Sequence, residues 1–354
     1  MNGFYNGYDS VIIETPEERE NKRRGQKKLF SRVFLALFLY LIVSQFLSVG
    51  IYTVASVILS KEQYVAFAES SVWSVVISCA VQYVIAFPIF LLALIGTDKA
   101  AKKERSKLSF KEFILLFLVG QVLMYAGNFI GTMLNQTIGS ILGDVPENGI
   151  ATIINETPIW LIFVLMVIVA PIVEELICRK LIIDRLSIYG DHIAILFSAV
   201  AFGLLHGNLY QFFYAVLLGG LLGYVYTKTR DVKYTIYMHM IINFMGSIVA
   251  LPVQKALTDF YEMYDLAMLG EQFDFVSFIL NAAIMLIYSN LQYGMIAGGI
   301  FAIIHLYKNK QIKLQRDKEI FLPDKEIIKG GVANVGAILF ISLCLIFMGL
   351  NLFA

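Results

Sequence analysis

The sequence predicts an all-α polytopic membrane protein of about nine transmembrane helices, eight at the fewest. Three observations predict it. Hydrophobic residues make up 58% of the 354 positions and charged residues 16%, against about 45–50% and about 25% in soluble domains. Nine apolar stretches reach or approach the roughly 20 residues that cross about 30 Å of hydrocarbon. Of the 28 Lys and Arg, all but Lys61 and Lys255 fall in segments that a nine-span chain places on one side, as the positive-inside rule requires. A soluble enzyme could not cover so much apolar surface. Disorder and nucleic-acid binding would both need many more charges.

The elements follow in order. Residues 1–32 form a basic tail whose Lys and Arg run from Arg19 to Arg32. Its KRRGQKK run sets topology and could grip anionic lipid. The apolar run 33–59 is too long for a signal-peptide core and reads as an uncleaved span. Spans 71–96 and 113–135 complete a first block, 33–157. Spans 158–178, 192–208, 209–227 and 234–253 make a second block, 158–253. The fifth and sixth nearly abut, which predicts a tight turn at Gly207 and Asn208. The eighth, 276–307, is too long for one upright crossing and carries Asn281, Asn290 and Gln292. It is expected to tilt, break, or begin at the interface. A basic loop, 308–330, precedes the ninth span, 331–353. Charge bias places the N-terminus in the cytosol, with acidic loops Asp144–Glu156 and Asp259–Asp274 opposite. Cys79, Cys178 and Cys344 lie inside apolar runs without a CxxC, which suggests packing rather than a disulfide framework or a cysteine metal site.

Ionisable residues inside a span are costly, about 2.5–3.5 kcal/mol each, and need a reason. The nine spans hold only two carboxylates, Glu174 and Glu175, in PIVEELICRK. Neighbours on a helix point about 100° apart, while residues four apart share a face. Glu175 can therefore pair with Arg179. Glu174, partly buried and lacking that partner, is a candidate general base. The bland alternative is that both acids satisfy helix ends at the cytosolic lip.

Two of the four histidines lie within spans. Phe202 and His206 share a face of the fifth span, and His239 and Asn243 share one of the seventh. A lone membrane histidine is more often a helix-to-helix hydrogen bonder than a catalyst. Depth argues for more. Taking Arg179 and Lys233 as cytosolic edges, Glu174 and His239 lie roughly 8–9 Å from one face. Glu174 and His206 are equally far from a turn near Gly190. A carboxylate, two imidazoles and an amide could then meet in one cavity.

The set Glu174-Glu175-x-x-x-Arg179, Phe202-x-x-x-His206 and His239-x-x-x-Asn243, on successive spans, resembles the CAAX protease and bacteriocin-processing family (CPBP, or Abi). That family is related to the type II CAAX prenyl endopeptidases. The resemblance covers roughly 158–250 and implies that the four spans of 158–253 form a four-helix catalytic core. It implies an intramembrane endopeptidase acting near the cytosolic face. Glu174 and His206 would activate a water, and His239 and Asn243 would stabilise the oxyanion. Glu175, Arg179 and Phe202 would support them.

Glu174, His206 and His239 would also serve as zinc ligands, so zinc stays open as a cofactor, although HExxH is absent. A metal-free, glutamate-activated water is the preferred reading. The expected partners are a peptide or membrane-anchored protein substrate and the lipid bilayer. Frequent Ile, Lys, Asn and Tyr hint at a bacterial source and so at its plasma membrane. Two rivals stand beside the peptidase: a transporter with a Glu/His relay, and a non-catalytic bacteriocin-immunity membrane protein.

Overall fold

The fold follows from how each helix starts, stops and loses its regular ladder. The computed structural model describes residues 15–101, 103–143, 149–309 and 322–353. Helix α1 spans Pro16–Ile58 and opens on a capping box: the Thr15 side chain accepts from the Glu18 amide, and the Glu18 carboxylate accepts from the Thr15 amide. The described part of the basic tail is thus one helix with the first span, not a linker. Next come α2 (Lys61–Ala68) and α3 (Ser71–Ala93). Helix α4 (Phe110–Leu142) is capped by Ser109 and Glu112 and stopped by Gly143 at φ 90°. Short α5 (Gly149–Glu156) precedes α6 (Ile159–Tyr189) and α7 (Asp191–Leu205). Then follow α8 (Leu209–Thr229), α9 (Val232–Met268), α10 (Phe275–Lys308), α11 (Asp324–Val332) and α12 (Val335–Leu350).

All nine apolar stretches hold a helix. Seven helices are long and apolar enough to cross a membrane, or eight when α11 and α12, bent by 65°, count as one span. The remaining stretch is α7, which has 15 residues and reaches about 22 Å. Among the described residues there is no strand.

Several boundaries differ from expectation. Of the expected loop Asp259–Asp274 only 269–274 is a loop, because α9 continues to Met268 on helix-forming residues and a Lys255–Asp259 pair four apart, at 3.6 Å. Helix α10 does not break. Its Asn290 amide donates to the Leu286 carbonyl at 2.7 Å, so the polar side chain is satisfied by its own helix. Residues 324–330 of the expected 308–330 loop are helical, the start of a helix that runs to Val332. The rest of the basic tail (1–14), the start of the acidic loop (144–148) and positions 310–321 lie outside the described residues.

Two apolar clusters hold the bundle. One joins α1, α3, α6, α7 and α12 through Phe30, Phe90, Ile177, Phe197 and Phe340; the other joins α4, α8, α9 and α10 through Leu116, Leu222, Met238 and Ala302. Helix α8 serves both, giving Ala215 and Tyr226 to the first and Leu218 and Leu222 to the second. It lies close along α4 because Gly127 faces its backbone, and a Cβ there would fall on Tyr214. Small residues permit such approach between membrane helices.

The basic segments gather at one end. Arg19 and Arg23 pair with Glu326 at 3.1 and 2.8 Å. Arg230 and Lys103 meet Asp191 at 2.6 and 3.4 Å, and Lys228 meets Glu112 at 2.9 Å.

Candidate active site

Helix α6 carries both carboxylates between two stretches of wide, π-type turns, Phe163–Val169 and Leu176–Ile183. Two similar stretches, Ala80–Ala86 and Met245–Val249, interrupt α3 and α9. Three of the four end just before a proline, at Pro88, Pro171 and Pro252. Proline lacks an N–H, and its ring crowds the carbonyl four residues back, so the helix widens to relieve it. Only the stretch after Glu175 has no proline. Such wide turns are frequent at functional sites.

Pro171 has a second effect. The Ala170 N–H reaches back to the Leu165 carbonyl. In that register the partner of the Met166 carbonyl would be the nitrogen of residue 171, which bears no hydrogen. The freed carbonyl accepts instead from Asn243 Nδ2 of α9, at 2.9 Å. A proline three residues before Glu174 thus orients an amide on another helix.

Glu175 and Arg179 are wholly buried and paired, Arg179 Nε to Glu175 Oε2 at 2.8 Å and Nη2 to Oε1 at 3.3 Å. Arg179 also donates to Ser198 Oγ at 3.0 Å, and Ser198 donates on to the Cys178 carbonyl at 2.8 Å. Arg179 therefore does not mark a cytosolic edge. Helix α6 runs on to Tyr189, and its turn is made by Gly190 at φ 105°. Counted from that turn, Glu174 lies about 24 Å along α6, deeper than the edge reading gave.

His239 stands between the two carboxylates. Its Nδ1 is 3.1 Å from Glu175 Oε1 and its Nε2 is 3.8 Å from Glu174 Oε2. Glu175 oxygens, already paired with arginine, act as acceptors, so Nδ1 carries the proton. His206 follows the last residue of α7, with Nδ1 against the Phe202 carbonyl at 2.8 Å. A carbonyl can only accept, so neutral His206 presents a bare Nε2. Phe202 braces both imidazoles edge to face, with centroids at 4.9 and 5.6 Å. The Arg179 guanidinium lies over the same ring at 5.2 Å. The tight turn is present: Gly207 has φ 66°, and Asn208 caps α8 by accepting from the Gln211 amide at 2.9 Å.

Glu174, His206, His239 and Asn243 all line one cavity of about 390 Å³. Glu174 and His206 also line an adjoining cavity of about 460 Å³ beside α1 and α12. The Glu174 side chain is 27% exposed, against 0% for Glu175, so one acid faces open space and its neighbour faces protein. Among the described residues no three His, Cys, Asp or Glu side chains gather as a metal site. The Glu174, His206 and His239 set does not close on a common point in this arrangement. Cys178 is fully buried and free.

Three contributors were not foreseen. Ser198 was visible in principle, as it stands four residues before Phe202 on the stripe that ends at His206. Pro171 was a readable break in an apolar run. The Gln211–Tyr214 pair, joined at 2.8 Å on the cavity wall, gave no motif.

Residues 156–245 match the Rce1-like family of type II CAAX prenyl endopeptidases. That stretch contains every residue of the three motifs. The central block of this chain is thus similar to membrane proteases of that kind. A Bacillus subtilis (strain 168) protein, "Putative membrane peptidase YdiL", is 29% identical over 184 residues, covering 49% of this chain and 73% of the relative. No solved structure is a significant match. The matched block sits in an integral membrane bundle, with helices α1–α5 before it and α10–α12 after it.

Proposed function

We propose that this protein is an intramembrane endopeptidase that hydrolyses a peptide bond with a water held by Glu174 and His206. The observation that carries the proposal is the shared cavity, where four polar side chains from three helices face one space. Glu174 takes a proton from the water as its oxygen bonds the scissile carbonyl carbon. The bare Nε2 of His206 accepts the water's other hydrogen and orients it. The carbonyl electron pair moves to oxygen, where Asn243 Nδ2 and His239 Nε2 donate to it. Collapse breaks the C–N bond, and the proton on Glu174 passes to the leaving amine.

His239 can donate from Nε2 only as the imidazolium, because its Nδ1–H is given to Glu175. In that form Glu174, Glu175, His239 and Arg179 sum to zero charge, which suits a water-poor site. Donors fixed in advance are each worth about 3–4 kcal/mol to such an oxyanion. No step is routed through a metal.

The substrate is a peptide or membrane-anchored protein cut within the bundle, at the depth of Glu174. Pheromone precursors, bacteriocin leaders and prenylated tails are the candidate classes. The bacterial plasma membrane, with the N-terminus in the cytosol, is the proposed setting.

The test is cleavage of a peptide library by the purified full chain, with and without chelator, beside Glu174→Gln. Cleavage by the parent and none by the variant is expected. Equal cleavage by both removes Glu174 from its role. Loss on chelation with recovery on added zinc recasts Glu174, His206 and His239 as ligands.

A further inference from the structure

Next to the proposed catalytic cavity is a second one, of about 320 Å³, enclosed by α4, α8, α9 and α10. The two share Gln211, Tyr214 and Ile242 as a common wall. The second cavity contains no ionisable acid, base or imidazole; its polar lining is carboxamide and phenol. Three of its carboxamides have a buried atom with no partner: Gln121 Nε2, Gln254 Oε1 and Gln292 Oε1. Gln121 is 6% exposed.

An unpaired buried amide group costs about 1–3 kcal/mol. Three of them on residues that line one cavity leave a donor and two acceptors unpaired beside that space. Asn290 on the same α10 shows the alternative, since its amide folds back onto its own helix. Gln121, Gln254 and Gln292 make no such bond.

We propose that this second cavity binds an unwound stretch of the substrate's main chain beside the scissile bond. The proposal rests on the peptidase reading and deepens it. A peptide bond must leave its helix before a water can reach the carbonyl, and an unwound segment in a membrane bares N–H and C=O groups that need partners. Neutral carboxamides match that need in kind: a side-chain N–H for a carbonyl, and side-chain oxygens for two amides. An acyl or isoprenoid chain would leave all three unpaired. Gln254 lies 15 residues beyond His239 on α9, about 22 Å along the helix, so the bound segment runs away from the start of α9 toward the opposite end of the bundle.

The experiment uses the full chain in lipid nanodiscs, with Gln121→Leu/Gln292→Leu beside the parent. Leucine fills similar volume and suits a membrane helix. The probes are a library peptide cleaved by the parent, and truncations of it that end near the scissile bond on either side. The double variant should raise KM for the long peptide about tenfold, equivalent to about 1.4 kcal/mol, and leave kcat and the KM of one truncated series unchanged. An equal loss for long and short peptides would mean a merely structural role and overturns the proposal, as does an unchanged KM for the long peptide. Binding is read separately, by photocrosslinking the long peptide to the Glu174→Gln chain with and without the two Leu changes. If no library peptide is cut, but crosslinking is lost with the two Gln side chains, the peptidase reading fails and the subsite stands. Crosslinking of the long peptide that ignores both substitutions overturns the subsite.

Discussion

His239 Nδ1 lies 3.1 Å from Glu175 Oε1, on the carboxylate that also holds Arg179. One buried acid thus ties the α6 guanidinium to the α9 imidazole, and the fold to the proposed chemistry.

Glu175→Gln leaves Arg179 buried without its counter-ion. The expected cost is about 3–5 kcal/mol, read as a lower thermal midpoint in detergent. Cleavage should fall roughly 10–100-fold as His239 loses its orienting carboxylate. Pairing the change with Arg179→Met should recover much of the stability and little of the activity. Recovery of both would show Glu175 to be structural only.

Asn243→Ala should lower kcat about 10²–10³-fold, the loss seen for one oxyanion donor, with KM nearly unchanged. Steady-state kinetics on any cleaved peptide checks this. A change confined to KM would make Asn243 a binding group instead.

Pro171→Ala restores an N–H that can take the Met166 carbonyl. Helix stability should hold or rise, since interior proline costs about 3 kcal/mol. Cleavage should fall as Asn243 is released. Thermal midpoint and activity moving in opposite directions is the signature; parallel loss would contradict it.

Gly127→Ala would press a methyl onto the Tyr214 backbone. Overpacking of this kind costs about 1–3 kcal/mol. The midpoint should drop, and cleavage with it, because Tyr214 walls the cavity.

Topology is tested by single cysteines at Lys28 and Lys61. With a cytosolic N-terminus, an impermeant thiol reagent added outside intact cells labels Lys61→Cys and spares Lys28→Cys. The reverse pattern inverts the chain.

Much of this site is readable from spacing alone. Residues four apart share a helix face, so Glu175 with Arg179, Phe202 with His206, and His239 with Asn243 could each be placed in pairs. What could not be read is how the pairs face one another. The bond from His239 to Glu175 spans 64 positions and depends on how α6 and α9 pack. Depth misled for a related reason: Arg179 looked like an interfacial cation, yet a buried carboxylate and a phenyl face let it sit wholly inside protein. Element ends were missed wherever polar residues stayed helical, as at Gln254–Met268. There, helix-forming residues and the Lys255–Asp259 pair outweighed the fall in hydropathy that marked the boundary.

The shortness of α7 has its own consequence. At about 22 Å it falls roughly 8 Å short of the hydrocarbon thickness, and a short helix draws the bilayer surface toward its end. That end is His206 and the Gly207 turn, whose carbonyl accepts from Asn351 Nδ2 at 2.9 Å. The lipid there should pucker into a dimple, bringing the aqueous phase close to the imidazole. The proposed hydrolysis would consume water as a second reactant, and this mismatch would bring it near without a dedicated channel. Lipids with longer chains would fill the dimple, so the thickness of the host membrane becomes a throttle on turnover.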